Sequence, residues 1–190
     1  AEVFFQTFGV FSFVTAIAVA QQTQPVWELI VDRDLNALRR PLLYSVGAGI
    51  AAALYMWAWP PGVLLVGFTG IFFAIKITTD VYHNQSPEPM AFVGAVSMTV
   101  TGLLMFIPLE NFAVASATNF GLLQIILPLG VGLGCVFLAY LARQWEANDL
   151  DQSWYPIAVG SLILVSAILF SRFVVDLSGT LLSRVGFSAT

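Results

Sequence analysis

The chain has 190 residues, 58% of them hydrophobic and 9% charged, with a formal net charge of −4. Soluble domains carry about 25% charged residues, so this composition excludes a water-soluble globule and points to a bilayer. The length accommodates one membrane domain over residues 1–190, and the lack of basic patches excludes nucleic acid as a partner. Six Arg against one Lys suits a halophilic protein, and a biased genome base composition gives the same ratio.

A membrane-spanning helix needs about 20 mainly apolar residues. Six stretches qualify, near 3–20, 41–59, 62–80, 90–109, 120–142 and 155–176. The expected fold is therefore all-α, a polytopic membrane protein with six transmembrane helices. The first stretch lacks a basic leading region and is read as a span rather than a signal peptide. Pro41, Pro61 and Pro156 stand at expected helix starts, where a missing N–H costs nothing. Trp57, Trp59, Trp145 and Trp154 fall near span ends, as an interfacial aromatic belt requires.

Basic residues set the expected orientation. Arg33, Arg39 and Arg40 follow the first span, Lys76 ends the third and Arg143 follows the fifth. The opposite side holds Arg172 and Arg184. Five against two predicts a multi-pass protein of the cell membrane with both termini outside. Asn84-Gln85-Ser86 has the form of a glycosylation sequon, but it lies on the inner side and precedes Pro87.

The two halves align at an offset of 85, pairing Gly9 with Gly94, Ser12 with Ser97, and Val46, Gly47 and Gly49 with Val131, Gly132 and Gly134. A further shift of 11 pairs Lys76 and Asp80 with Arg172 and Asp176. Three spans per unit would invert the second copy, giving inverted repeats over 1–85 and 86–180 with a path at their interface. Ser45, Gly49 and Ala53 in the second span, and Gly130 and Gly134 in the fifth, recur at four-residue spacing, where small residues let helices approach closely. Pro128 is expected to kink the fifth span near Gln124. These residues are candidates for helix packing or for lining a path.

The span centres carry no ionisable residue, so a carboxylate-based proton pump and a voltage sensor are disfavoured. Ser12, Thr15, Ser45, Thr69, Ser97, Thr99, Thr101, Gln124, Ser161 and Ser166 leave a neutral, hydroxyl-lined path open, although Ser and Thr hydroxyls commonly bond their own helix carbonyls. Lys76/Asp80 and Arg172/Asp176 are one helical turn apart and can pair as interface anchors or as gates. His83, the only histidine, with Asp80 and Glu88 is a weak candidate metal site. Cys135 lies in an apolar run and is read as a packing residue; no redox pair exists. No HExxH, GxSxG or Gly-rich phosphate loop occurs, so no catalytic residue and no cofactor are expected.

Asp32-Arg33-Asp34, then Asn36, then Arg39-Arg40-Pro41 resembles the aspartate-rich loop of membrane prenyltransferases. That resemblance covers about 15 residues and implies diphosphate held through magnesium, with Asn148-Asp149-Leu150-Asp151 as a second acidic motif. It departs from the pattern at Asn36, where an acid belongs, and Glu28 lies one residue too far back. The plainer reading is an amphipathic helix with Trp27, Ile30, Val31, Leu35 and Leu38 on its apolar side.

The function expected from these features is a channel or carrier for a small solute, working as a homo-oligomer in the lipid bilayer. The alternatives are a non-catalytic subunit beside other membrane subunits, and a prenyl-transfer enzyme using the Asp32/Asp34 loop.

Overall fold

The computed structural model describes residues 2–23, 26–32, 34–109, 121–165 and 168. They form α1 (Glu2–Gln21), α2 (Val26–Val31), α3 (Leu35–Ala58), α4 (Val63–Tyr82), α5 (Glu88–Leu104) and α6 (Leu123–Ala147). A last helix, α7 (Gln152–Val165), opens with a 3-10 turn. The fold is all-helical over the described residues, as expected. Three helices are long and apolar enough to cross a membrane, namely Asn36–Ala58, Val63–Tyr82 and Leu123–Ala147. The described apolar parts of the other three, Thr7–Gln21, Glu88–Leu104 and Gln152–Val165, are shorter. Among the described residues, three of the six expected spans reach membrane-crossing length.

Local chemistry corrects two boundaries. The Asp34 carboxylate accepts the backbone N–H groups of Asn36 and Ala37, each at 3.2 Å. This cap starts α3 at Leu35 and puts Pro41 inside the helix rather than at its start. It also breaks the expected amphipathic helix in two: Trp27, Ile30 and Val31 lie exposed on α2, while Leu38 is buried on α3.

Because lipid offers helices no hydrophobic drive to associate, close backbone approach must hold them together. α5 is the hub and packs on α3 and α6, and less extensively on α1, α4 and α2. Its tightest contacts fall where a side chain is missing. A Cβ on Gly49 would lie 2.5 Å from the Ser97 carbonyl oxygen. One on Gly94 would lie 2.6 Å from Cys135 Sγ, and one on Gly102 would lie 2.7 Å from Leu129. Thr101 adds a polar tie, its hydroxyl donating to the Gly49 carbonyl at 3.0 Å.

Ser45, Gly49 and Ala53 share a buried face, whereas a Cβ on Gly130 or Gly134 would meet nothing within 4 Å. Gly132 takes the close position, where a Cβ would lie 3.3 Å from the Ala95 carbonyl oxygen. Two residues are about 200° around a helix, so the expected small-residue face of α6 is on the wrong side. The glycines matched between the halves also differ in surroundings. Gly49 and Gly94 are tightly packed where Gly134 and Gly9 have open space, and Gly132 is in contact where Gly47 is not. α3 packs on α5, while the α1–α6 contact that a two-fold would pair with it is at most marginal among the described residues. The α1–α3 and α5–α6 contacts, which a two-fold would also pair, are both extensive, so the packing matches an inverted repeat there and departs from it at α3–α5.

Replacing Gly49 by Val should force α3 and α5 apart and lower stability by roughly 1–3 kcal/mol or more. Gly134→Val, pointing into open space, should leave the melting temperature in detergent almost unchanged. Equal melting temperatures for the two variants would contradict this packing.

Candidate functional site

The ends of α4 and α6 lie side by side with the starts of α5 and α7. Both helices stop the same way. In α4 the Gln85 N–H reaches the Asp80 carbonyl at 2.7 Å and Asn84 reaches Val81 at 3.0 Å. In α6 Leu150 reaches Trp145 at 3.2 Å and Asp149 reaches Glu146 at 3.1 Å. Asn84 and Asp149 adopt the left-handed conformation that such a stop requires, with φ of 59° and 51°.

Between these ends, α2 and α5, runs a groove of about 1030 Å³. Its floor includes Ala91, Ala95, Val136 and Ala139, and its mouth carries Glu88, Arg143 and Glu146. The Arg143 guanidinium sits 4.8 Å above the Trp27 ring, a cation–π contact. The Trp27 backbone N–H donates to Glu88 Oε2 at 3.0 Å, tying α2 to the start of α5. Trp145 donates its indole N–H to the Asp151 carbonyl at 3.1 Å and stands edge-on to Tyr155. The Ser153 backbone N–H and side chain hold the Asp151 carboxyl below its ordinary 3.8, so this α7 cap stays ionised at neutral pH. Tyr155 is buried and donates to the Leu138 carbonyl at 2.9 Å.

A smaller hollow of about 420 Å³ adjoins Gln21, Asp80, Asn84 and Met90. Lys76 pairs with Asp80 across one turn of α4, the base one-third exposed and the acid buried. Arg172 and Asp176 lie outside the described residues, so no second pair can be compared with it.

The three groups proposed for a metal are not brought together. Asp80 is taken by Lys76, Glu88 by the Trp27 N–H, and His83 Nδ1 lies 2.8 Å from the Thr79 carbonyl. No group of three potential metal ligands occurs among the described residues. The prenyltransferase-like loop is corrected too, because Asp34 spends its carboxylate on the α3 cap.

The hydroxyls point to helix carbonyls rather than to a path. Ser12, Thr15, Ser45, Thr69 and Ser161 each donate to the carbonyl four residues back, at 2.7–2.8 Å. Gln124 is buried near the start of α6 and accepts the Gly121 N–H at 2.9 Å. Pro128 is buried inside the same helix. Sequence reasoning missed the Trp27–Glu88–Arg143 constellation. Its members are far apart in the chain, and no periodicity links them.

The described residues form a helical segment with three helices long and apolar enough to cross a membrane. No protein-family model matches the sequence. The chain is 53% identical, over 194 aligned positions, to the dolichyl-monophosphooligosaccharide–protein glycotransferase AglB of Haloferax volcanii, a match covering 99% of this chain and 18% of that protein. The solved structure of the archaeal oligosaccharyltransferase AglB from Archaeoglobus fulgidus, in complex with an inhibitory peptide and a dolichol-phosphate, superposes with a TM-score of 0.77. That match has 21% identity and covers 97% of this chain and 21% of that one. A second structure of the A. fulgidus oligosaccharyltransferase, tethered to an acceptor peptide containing the NVT sequon, gives a TM-score of 0.67 at 19% identity, covering 92% of this chain and 20% of that one. The chain therefore spans about a fifth of the length of the proteins it matches.

These matches overturn the expected channel or carrier and the transport role that went with it. They also displace the accessory-subunit and prenyl-transfer alternatives, since the relative is a glycotransferase acting on protein. Membrane residence and a lipid environment stand, while the expected homo-oligomer draws no support from them.

Three variants test the geometry. Lys76→Met strands a buried carboxylate, whereas Asp80→Asn leaves a lysine that can reach water. Lys76→Met should therefore be the more destabilising, by roughly 1–3 kcal/mol, below the full value of a buried pair because Lys76 is partly exposed. Chemical denaturation of both variants checks the order. Glu88→Ala should release α2, seen as faster hydrogen exchange at the amides of 26–31; unchanged exchange there would show that Glu88 does not hold it.

Proposed function

We propose that this chain is a transmembrane segment of an oligosaccharyltransferase, an enzyme that moves an oligosaccharide from a dolichyl-phosphate carrier onto protein. The carrying observation is the 53% identity to the H. volcanii glycotransferase across nearly the whole chain. The superposition on the A. fulgidus enzyme supports the same arrangement of helices.

Within that reading, the chain's own residues build the framework. Ser45, Gly49 and Pro128 serve helix packing and helix shape, and Lys76 with Asp80 anchors the end of α4. The residues that carry the transfer are not assigned to this segment. The full-length protein, given a dolichyl-phosphate-linked oligosaccharide and a peptide bearing an Asn-Val-Thr sequon, should release glycopeptide. Absence of glycopeptide with folded protein would overturn the reading.

We infer further that the ends of α4 and α6 face the cytoplasm, because Arg39, Arg40, Lys76 and Arg143 gather there. Cys135 is 3% exposed and gives little background to thiol labelling. A Ser86→Cys variant in intact cells, with other accessible cysteines removed, should react with an impermeant maleimide only after permeabilisation. Labelling in intact cells would reverse the orientation.

A further inference from the structure

The groove between α2, α5 and α6 has an apolar floor and a mouth of mixed charge, and it opens at the ends of long apolar helices. Its volume, about 1030 Å³, is at the upper end of ligand sites, which run from roughly 300 to 1,000 Å³. Val136, on the floor, is half exposed, and Leu133 one turn earlier is 71% exposed, so the apolar floor continues onto the outer face of α6. Trp27, Tyr140 and Trp145 surround the mouth, the residue types that settle at headgroup level.

The charges narrow the occupant. Among the described residues the only ion pair is Lys76–Asp80, so no described carboxylate pairs with Arg143, whose guanidinium lies over the Trp27 ring. Its hydrogen-bond donors are suited to a phosphate. Glu88 and Glu146 stand at the same mouth, and one Glu88 oxygen is committed to the Trp27 N–H. One cation beside two carboxylates is a poor receptor for a purely anionic headgroup. It matches a headgroup that carries a phosphate and an ammonium together.

We propose that the groove binds one zwitterionic membrane phospholipid with a primary ammonium. The phosphate pairs with Arg143, the ammonium donates to Glu146, and one chain lies along Ala91, Ala95 and Ala139. This site is independent of the transfer reaction proposed above, and it fastens α2 and the helix ends to the membrane surface.

The test is native mass spectrometry of the full-length protein, stripped of lipid in detergent and titrated with phosphatidylethanolamine, phosphatidylglycerol and phosphatidylcholine of identical chains. Phosphatidylethanolamine should bind at least about tenfold more tightly than the other two, the scale of a lost charge-assisted hydrogen bond. Arg143→Gln should weaken binding of all three lipids at an unchanged melting temperature, Arg143→Lys should fall between, and Glu146→Gln should remove the advantage of phosphatidylethanolamine and shift preference toward phosphatidylglycerol. Equal binding of all three lipids, or binding indifferent to Arg143→Gln, would reduce the groove to a surface for bulk lipid. Tighter phosphatidylglycerol binding in the unaltered protein would overturn the assignment of the ammonium.

Discussion

Every other feature of the segment depends on the close approach of α5 to its neighbours. α5 is only 17 residues long, and nine of them are buried. It cannot be held by apolar burial, because lipid solvates apolar side chains as well as a neighbouring helix does. Dispersion between tightly fitted atoms and two interhelical hydrogen bonds, from Thr101 to Gly49 and from Trp27 to Glu88, must serve instead. Gly49 on α3, and Gly94 and Gly102 on α5 itself, are the places where that fit leaves no room for a side chain. Thr101 satisfies its hydroxyl on its own helix, through the Ser97 carbonyl at 2.8 Å, while reaching the Gly49 carbonyl. The groove follows from this hub, since its floor is the first two turns of α5 set against α6.

What the sequence showed and hid divides along physical lines. Apolar runs report the solvent directly, so the helices lie close to where hydropathy puts them. Their ends obey local chemistry that hydropathy ignores. The Asp34 cap starts α3 six residues before Pro41, and the stop at Asn84 depends on a left-handed backbone at a residue that could equally serve in a turn. Gly130 and Gly134 satisfied the spacing rule for a packed face, yet α6 presents Gly132, Cys135 and Leu129 to α5 instead. Spacing identifies a face but does not say which face meets a partner. That is set by three-dimensional rotation, to which lipid is indifferent.

The apparent repeat is blurred for a related reason. Membrane segments draw on few residue types, so glycines and serines coincide at some offset in almost any pair of helices. Equivalent positions in a true duplication should meet equivalent neighbours. Here matched glycines alternate between close contact and open space. The same poverty of composition hid the function. Ser12, Thr15, Ser45, Thr69 and Ser161, which suggested a path, donate to carbonyls one turn back, and Asp34 of the acidic loop that suggested a diphosphate site caps a helix. A chain covering a fifth of its relatives' length bears the stamp of the membrane more clearly than that of the reaction.

Charge placement joins the framework to the membrane surface. Lys76 and Asp80 put a charged pair near the end of α4, with the buried acid beside the small polar hollow and the base directed outward. Arg143 does the corresponding work near the end of α6, but with an aromatic ring in place of a carboxylate. The difference matters physically. An ion pair is largely satisfied within the protein, whereas a cation over a ring keeps most of its hydrogen-bonding capacity. α4 is therefore closed at its charged end, and α6 retains a cation still able to take a phosphate. Glu88 holds Trp27 in place beneath that cation, so the same bond that docks α2 on α5 also sets where the guanidinium stands.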